Sequence, residues 1–345
     1  MNLQIKNIVI YANSSSEIGA GHVMRQLALA QQARLKNMRV HFIFQYISSD
    51  IQHRLETEGF KYTQFENKIF HSLILKLNAD ALVIDDYDID GFQKAVLEDL
   101  SIPIIYFDDH FNQKKITADI IVNSADNVTY SDYPLLSSNT KLCLGHEYRL
   151  IRQEFLSTNT VEHTSEKNRL LITIGASDVK QLTVTLVEMI LEFSPKHFID
   201  VVISQATNQQ ETALRKISSS FENVSIHKSI SNMGELMLNA KLAITAAGGT
   251  LYELAAMGIP TVAIGVANNQ KSALHSKAIN KGFYYFDLCS YTTQNNLVSM
   301  LQPIVEQSLE LWQQPKKLNE MEKTMRQYID GLGSERVLDA LREQF

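Results

Sequence analysis

The sequence has few of the residues that mark secreted or membrane proteins. Its 345 residues contain only two cysteines, Cys143 and Cys289, which argues against a disulfide framework and for a reducing compartment. No apolar run approaches the ~18 to 20 residues that span a bilayer. The N-terminus also lacks a basic region followed by a long apolar core. We therefore expect a cytoplasmic protein that does not insert into a membrane.

Positive charge and the common catalytic motifs are also scarce. The formal net charge is -6 and no basic cluster is present, so we expect no nucleic-acid partner. The chain has no G-x-S-x-G elbow, no H-E-x-x-H and no cysteine pair, so these motifs indicate neither a covalent nucleophile nor zinc. A small anionic ligand held by backbone amides remains compatible with this composition.

The pattern of apolar residues predicts two α/β domains. A chain of 345 residues is too long for one ordinary core. Strand-like runs such as "RVHFIF" (39–44) alternate with amphipathic helical stretches, which is typical of parallel sheets with crossover helices. The polar, aperiodic stretch 159–168 marks a boundary. We predict a Rossmann-like domain over residues 1–158, a second over 169–312, and a helical tail over 313–345.

A glycine turn followed by a histidine stands near the N-terminus, in "EIGAGHVMRQLALA" (17–30). The apolar spacing after it predicts a helix with His22 in its first turn. Free backbone N–H groups and the helix dipole suit that turn to an anion, and Gly19 and Gly21 permit close approach. A dinucleotide fingerprint fails because Met24 replaces the third glycine. His22 is either a capping or packing residue or a titratable group at a binding site.

Two further glycine turns follow strands of the second predicted domain. In "TIGASD" (173–178), Gly175 and Ser177 precede a helix and form a candidate anion turn. The second turn is "AAGGTLYELAAMGIP" (246–260). Thr250 and Glu253 there have the spacing of a capping box, which is one interpretation. The other assigns a diphosphate and its ribose to a set of four residues, Gly248, Gly249, Thr250 and Glu253.

Other candidates follow the strand ends. Asn269 and Gln270 offer amides in a loop, although they could simply begin a helix. Tyr87 could line a sugar pocket or pack in the core. The aspartates of "DDYD" (85–88) and "FDDH" (107–110) could hold a divalent metal, or could cap helices and tie loops together. Because they lie on separate strand ends, we predict no metal site and no cofactor.

Taken in order, these segments resemble the PseG family of UDP-2,4-diacetamido-2,4,6-trideoxy-β-L-altropyranose hydrolases. The resemblance runs to about Phe286 through one ordered set: "IGAGHVMRQLALA", "VIDDY", "YFDDH", residues 119–123, "GHEYRLIRQEF", "ITIGASD", "AAGGTLYELAAMGIP" and "NNQ". It implies the GT-B fold related to MurG: α/β, with two doubly wound parallel-sheet domains facing across a cleft. It also implies a metal-independent release of UDP in pseudaminic acid biosynthesis.

Carried over position by position, the resemblance assigns roles to individual residues. The family's catalytic histidine corresponds to His22, its active-site tyrosine to Tyr87 and its substrate-contacting asparagine to Asn269. His22 would be a general base for a water that attacks the anomeric carbon with inversion. An imidazole suits this role because its ordinary pKa of about 6.5 leaves much of it neutral at cytoplasmic pH. The predicted substrate-binding set is Gly19, Gly21, Arg25, Tyr87, Asn269 and Gln270, and the predicted UDP-binding set is Gly175, Ser177, Gly248, Gly249, Thr250 and Glu253.

One departure from the family pattern affects the substrate. The family usually has Arg-Ala-Asp before the serine-bearing loop, and this chain has Tyr11 and Asn13 in place of the cation and the anion. If the lost pair contacts the sugar, the acyl pattern or stereochemistry of the substrate differs. Two other function classes stay open: a GT-B glycosyltransferase in which His22 serves an acceptor hydroxyl, and a non-catalytic nucleotide-sugar binding protein that could dispense with His22.

Overall fold

The computed structural model consists of two compact units. It describes residues 5–14, 20–66, 69–86, 97, 99–109, 118–134, 139–157, 167–175, 178, 180–204, 206–228, 230, 232–291 and 296–344. One unit is Met1–Gln153 with Gly331–Phe345, and the other is Glu154–Asp330. Residues 313–345, which the sequence analysis grouped as one tail, are thus divided between the two units.

A parallel sheet forms the centre of the first unit. Its described strands are β1 (Asn7–Ala12), β2 (Arg39–Phe44), β3 (Lys61–Gln64), β4 (Ala81–Asp85), β5 (Ile104–Phe107), β6 (Ile120–Asn123) and β7 (Lys141–Leu144). They lie in the order β3-β2-β1-β4-β5-β6-β7, and every pair is parallel. The central strands are apolar throughout rather than alternating, since both faces of the sheet are buried.

Helices pack on the first sheet. Those described in the first half of the chain are α1 (Gly21–Leu35), α2 (Ser49–Thr57) and α3 (Phe70–Lys76), and short 3-10 turns lie at Tyr130–Asp132 and His146–Tyr148. A further helical turn, α4 (Gln153–Leu156), lies where the chain passes from one unit to the next.

The second unit repeats the scheme. Its described strands are β8 (Arg169–Thr173), β9 (Phe198–Ile203), β10 (Val224–Lys228), β11 (Ala240–Ala246), β12 (Thr261–Gly265) and β13 (Phe283–Asp287), in the parallel order β10-β9-β8-β11-β12-β13. Its helices are α5 (Leu182–Phe193), α6 (Asn208–Ser220), α7 (Met233–Leu238), α8 (Gly249–Ala256), α9 (Leu297–Trp312) and α10 (Pro315–Tyr328), with a 3-10 segment at Asn268–His275. The predicted α/β class with parallel sheets is confirmed.

The last helix, α11 (Gly333–Gln344), belongs to the first unit and packs against α1, β6 and β7. Lys36 at the end of α1 binds Glu335 at 2.8 Å and Asp339 at 2.9 Å. The helix begins with a glycine because a Cβ on Gly333 would lie 2.1 Å from the carbonyl oxygen of Arg149. Backbone contact this close admits no side chain.

Each sheet reverses its strand order at one place. In the first unit the reversal lies between β1 and β4, and in the second it lies between β8 and β11. Ligands of open α/β sheets bind beyond the carboxyl ends of the strands at this switch point. The structure places His22 after β1 and Asp85 at the end of β4, whereas Gly175 follows β8 and Gly248 follows β11.

Candidate functional site

His22 is in the first turn of α1, where the sequence pattern predicts it. The helix begins at Gly21, and no side chain caps the backbone at Ala20. A Cβ on Gly21 would meet no described atom within 4 Å. His22 itself is only 6% exposed. Its imidazole is therefore held inside the unit rather than displayed on the helix surface.

A buried carboxylate orients the imidazole. Asp85, the last residue of β4, is fully buried, and its Oδ1 lies 2.6 Å from Nδ1 of His22. Burial by itself would lower the pKa of His22, but the charge of Asp85 and its hydrogen bond outweigh burial, so the pKa is raised. A carboxylate on Nδ1 selects the tautomer with the proton on that nitrogen.

Arg25 keeps Asp85 ionised. Its Nε and Nη2 each lie 2.5 Å from an oxygen of Asp85, and its Nη1 donates to Asp109 at 2.9 Å. Burial alone would raise the pKa of Asp85, but Arg25 and then His22 hold it well below its usual range. The predicted role of Arg25 was substrate binding. In the structure its guanidinium is engaged by two carboxylates of the protein itself.

Gln26 completes the shell around Asp85 and was absent from the sequence prediction. It is fully buried, and its Nε2 donates to Oδ2 of Asp85 at 2.8 Å. The i, i+3, i+4 spacing of His22, Arg25 and Gln26 places them on one helix face, and this spacing can be recognised in the sequence. The missing information was that β4 lies beside β1 and brings Asp85 to that face.

The other strand-end aspartates are bound by protein side chains. Asp86 accepts from Asn13 at 2.5 Å, Asp108 accepts from Tyr133 at 3.0 Å, and Asp109 binds Arg25. Within the residues that the structure describes, no cluster of three or more potential metal ligands occurs. Their contacts here match the alternative in which strand-end aspartates tie elements together.

Tyr11 and Asn13, which replace the cation and the anion of the family pattern, contact each other. The Asn13 amide donates to the Tyr11 hydroxyl at 2.9 Å and to Asp86, and its oxygen accepts the backbone N–H of Gln45 at 2.9 Å and of Tyr46 at 3.0 Å. The amide thus makes four hydrogen bonds, the most that its two ends allow. Hydrogen bonds through Asn13 thus connect Tyr11 to Asp86, the residue after β4.

The glycine turn before α8 has a different construction. The N-cap is Gly248, the helix begins at Gly249, and neither a side-chain cap nor an acidic residue occupies its first turn. Thr250 is thus the second helical residue, so the capping-box interpretation of Thr250 and Glu253 is wrong. A Cβ on the exposed Gly249 would meet no described atom within 4 Å. The space beside Gly249 is therefore open among the described residues.

Gln270 lies beside this helix start. Its Oε1 accepts the N–H of Val266 at 2.9 Å, which fixes the loop after β12. Its Nε2 is 3.7 Å from the place of a Cβ on Gly248. Asn269, its neighbour, is exposed. Within the second unit the structure therefore brings Gln270 close to Gly248, the N-cap residue of α8.

The other glycine turn of this unit is occupied by a carboxylate. Asp178 accepts the N–H groups of Leu182 and Thr183, each at 2.9 Å, and so caps α5. Gly175 lies in this loop with a φ of 75°, a left-handed conformation that favours glycine. Three predicted site residues, Gly19, Tyr87 and Ser177, lie outside the described residues.

Comparisons with known proteins bear on both units. Residues 169–329 match the glycosyltransferase family 28 C-terminal domain. An uncharacterized protein of Methanocaldococcus jannaschii is 30% identical over 74% of this chain. The aligned region spans 55% of that protein's length. The UDP-2,4-diacetamido-2,4,6-trideoxy-beta-L-altropyranose hydrolase of Campylobacter jejuni is 25% identical over 77% of this chain and 93% of its own.

Solved structures show the fold. Acinetobacter baumannii MurG superposes with a TM-score of 0.63 at 17% identity, covering 98% of this chain and 99% of its own. The pneumococcal O-GlcNAc transferase GtfA, solved with UDP and GlcNAc, gives a TM-score of 0.67 at 11% identity and covers 99% of each chain. The fold is therefore the GT-B architecture of these enzymes, as predicted. No helix in the described part of the chain is long and apolar enough to cross a membrane.

Proposed function

We propose that the protein is a hydrolase that releases UDP from a UDP-2,4-diacetamido-2,4,6-trideoxyhexose. The observation that carries this proposal is the His22–Asp85 pair at the switch point of the first sheet. A buried carboxylate on one imidazole nitrogen is the arrangement that prepares the other nitrogen for proton transfer. Support for the substrate comes from the Campylobacter jejuni relative, which is named for this hydrolysis.

The mechanism assigns proton transfer to His22. Asp85 accepts the Nδ1 proton, so Nε2 carries the lone pair that removes a proton from water. The water attacks the anomeric carbon and UDP departs from the opposite face, which inverts the configuration. Arg25 neutralises Asp85 so that the carboxylate stays ionised while the imidazole gains its proton. The raised pKa makes His22 a stronger base but lowers its neutral fraction near pH 7.

The nucleotide is assigned to the second unit. The uncapped first turn of α8 offers backbone N–H groups and the positive end of a helix dipole to the diphosphate, through Gly248, Gly249 and Thr250. Glu253, one turn further, is assigned to the ribose hydroxyls. Gln270 beside this turn, with Asn269, is assigned to the sugar nucleotide.

A glycosyltransferase is the second candidate. The match of residues 169–329 to the family 28 domain and the likeness to MurG favour it. In that reaction His22 would take the proton of an acceptor hydroxyl. The test is NMR of the purified protein with candidate UDP-sugars and no acceptor. Release of UDP supports the hydrolase, whereas release only after an acceptor is added supports the transferase. Binding of UDP without turnover under either condition would indicate a binding protein.

Isotope labelling tests which bond breaks. Reaction in oxygen-18 water should label the sugar and leave UDP unlabelled, and the sugar should first appear as the inverted anomer. Activity should persist in EDTA, because backbone amides and the helix dipole can stabilise the leaving diphosphate. Label in UDP would mean attack at phosphorus and would contradict the mechanism.

A further inference from the structure

One hydrogen-bond partner of the Asp85 carboxylate, Gln26, has no solvent exposure. Gln26 is fully buried in α1, four residues after His22, and its Nε2 donates to Oδ2 of Asp85. The same carboxylate accepts from His22 and Arg25 on Oδ1 and from Arg25 again on Oδ2. Four donors therefore surround Asp85, two on each oxygen, which is the full capacity of an ionised carboxylate.

The amide oxygen of Gln26, Oε1, lowers the stability of the fold. Among the described residues, no donor reaches its buried Oε1. A buried polar atom without a partner destabilises a protein. Turning the amide over would place Oε1 against the Asp85 carboxylate, where two acceptors repel each other. The hydrogen bond from Nε2 to Asp85 therefore sets the orientation of the amide, and Oε1 is left without a hydrogen bond among the described residues.

We propose that Gln26 is a positioning residue that holds the Asp85 carboxylate against His22 and, through the hydrogen bond that it donates, limits how strongly this carboxylate attracts the imidazolium. The inference rests on the proposed role of His22 as the base. Gln26 is fully buried, and the side-chain hydrogen bond that links it to the cluster is the one to Asp85, so we expect it to act through that carboxylate.

The substitution Gln26→Met keeps the length of the side chain and removes the donor. The charged groups that face His22 are Asp85 at the end of β4, Arg25 on α1 and Asp109 after β5. With one donor fewer, the charge of Asp85 is less dispersed and attracts the imidazolium more strongly. We expect the pKa of His22 to rise by about half to one pH unit. Near pH 7, kcat should fall roughly 3- to 10-fold with KM unchanged, since less His22 is neutral.

The same helix offers a matched control. Gln31 is also buried in α1, but its Nε2 donates to Glu58 at 2.8 Å and its Oε1 accepts the N–H of Gln153 at 2.9 Å. Gln31→Met should lower Tm because it breaks two satisfied hydrogen bonds, and should leave the pKa of His22 unchanged. Gln26→Met should keep Tm within about 2 °C of the wild type, since it also removes an unsatisfied oxygen.

The experiment is an NMR titration of the His22 ring nitrogens in the wild type and both variants, with His22→Asn for assignment. An unchanged pKa in Gln26→Met, or an equal shift in Gln31→Met, would overturn the proposal. A Gln26→Met protein that melts more than about 5 °C below the wild type would do the same, because the role would then be structural. The titration needs no substrate. A shifted pKa in a protein that fails to hydrolyse any UDP-sugar would leave Gln26 in its role and reject the proposed function.

Discussion

Helices α1 and α8 both follow a glycine-bearing loop at the switch point of a parallel sheet, yet their first turns are built differently. The first turn of α1 holds a buried ionic cluster in which His22 and Arg25 meet Asp85. The first turn of α8 has no side-chain cap and opens on an exposed glycine, Gly249. The proposed function assigns proton transfer to the first helix start and the diphosphate to the second. Substitutions should therefore separate turnover from binding.

The largest effect is expected at α1. His22→Asn removes the base and keeps a polar side chain, so turnover should fall at least about a hundredfold. Calorimetric affinity for UDP should stay close to that of the wild type, because the nucleotide is assigned to the second unit. His41→Asn is the control, since His41 bonds Thr63 on the neighbouring strand and has no assigned role in the reaction. Turnover at the wild-type rate in His22→Asn would end the proposed mechanism.

The next largest effect is expected at α8. Glu253→Ala should weaken UDP binding by about 1 to 3 kcal/mol, the scale for losing hydrogen bonds to a charged group. The capping-box alternative predicts the opposite, a lower Tm with unchanged UDP affinity, and is not expected because α8 begins before Thr250. Calorimetry of UDP binding beside a thermal melt measures both quantities. Glu188→Ala, an exposed position on α5, is the control. Unchanged affinity would remove Glu253 from the nucleotide site.

A smaller effect, on stability rather than on UDP affinity, is expected at the start of α5, which a carboxylate caps, whereas the start of α8 has no side-chain cap. Asp178→Ala uncaps α5 and should cost about 1 kcal/mol of stability, which lowers Tm by about 2 to 4 °C. UDP affinity should stay the same, since the carboxylate already occupies this helix start. Thr207→Ala removes the cap of α6 in the same unit and should act alike. Tighter UDP binding in Asp178→Ala alone would reveal a second phosphate site.

The smallest effect is on the pH dependence of stability, and it has opposite signs in the two units. Burial, with help from Lys241, lowers the pKa of His197. His197 therefore stabilises its unit above the ordinary value of about 6.5 and loses that contribution as pH falls. His22, with a raised pKa, contributes below that value and loses its contribution as pH rises.

Thermal melts between pH 5 and 7 measure this difference. His197→Phe should gain about 1 to 2 °C relative to the wild type as the solution is acidified. His22→Asn should lose relative stability over the same change. A pH-independent difference between His197→Phe and the wild type would contradict the assignment.

The sequence was informative where one local signal was sufficient. The spacing of apolar residues predicted both the sheets and the position of His22. The partner of His22 could not be predicted, because Asp85 is 63 residues away and becomes its neighbour only through the pairing of β4 with β1. Tyr11 and Asn13 were noticed as departures, but their bonds to each other and to Asp86 depend on the folded strand ends.

Local spacing alone could not decide between two interpretations of one pattern. Thr207 and Gln210 form a true capping box at the start of α6. Thr250 and Glu253 have equivalent spacing, but α8 begins one residue before Thr250 and the box does not form. The two pairs have the same spacing and differ in where the helix begins. Thr207 is itself the N-cap of α6, whereas the N-cap of α8 is Gly248. The sequence pattern predicted a candidate anion turn at Gly175 and Ser177 before α5 but no capping role for Asp178, which the structure shows.

The return of α11 to the first unit sets an order of maturation during synthesis. A ribosome adds residues from the N-terminus at about 5 to 20 per second, so all of Glu154–Asp330 is made before Gly333–Gln344. The second unit can complete its core while the surface that receives Val337, Leu338 and Leu341 is still open in the first. The unit that carries His22 is therefore the last to receive all of its residues. A released chain that ends at Asp330 would contain every residue of the second unit but would lack the last helix of the first.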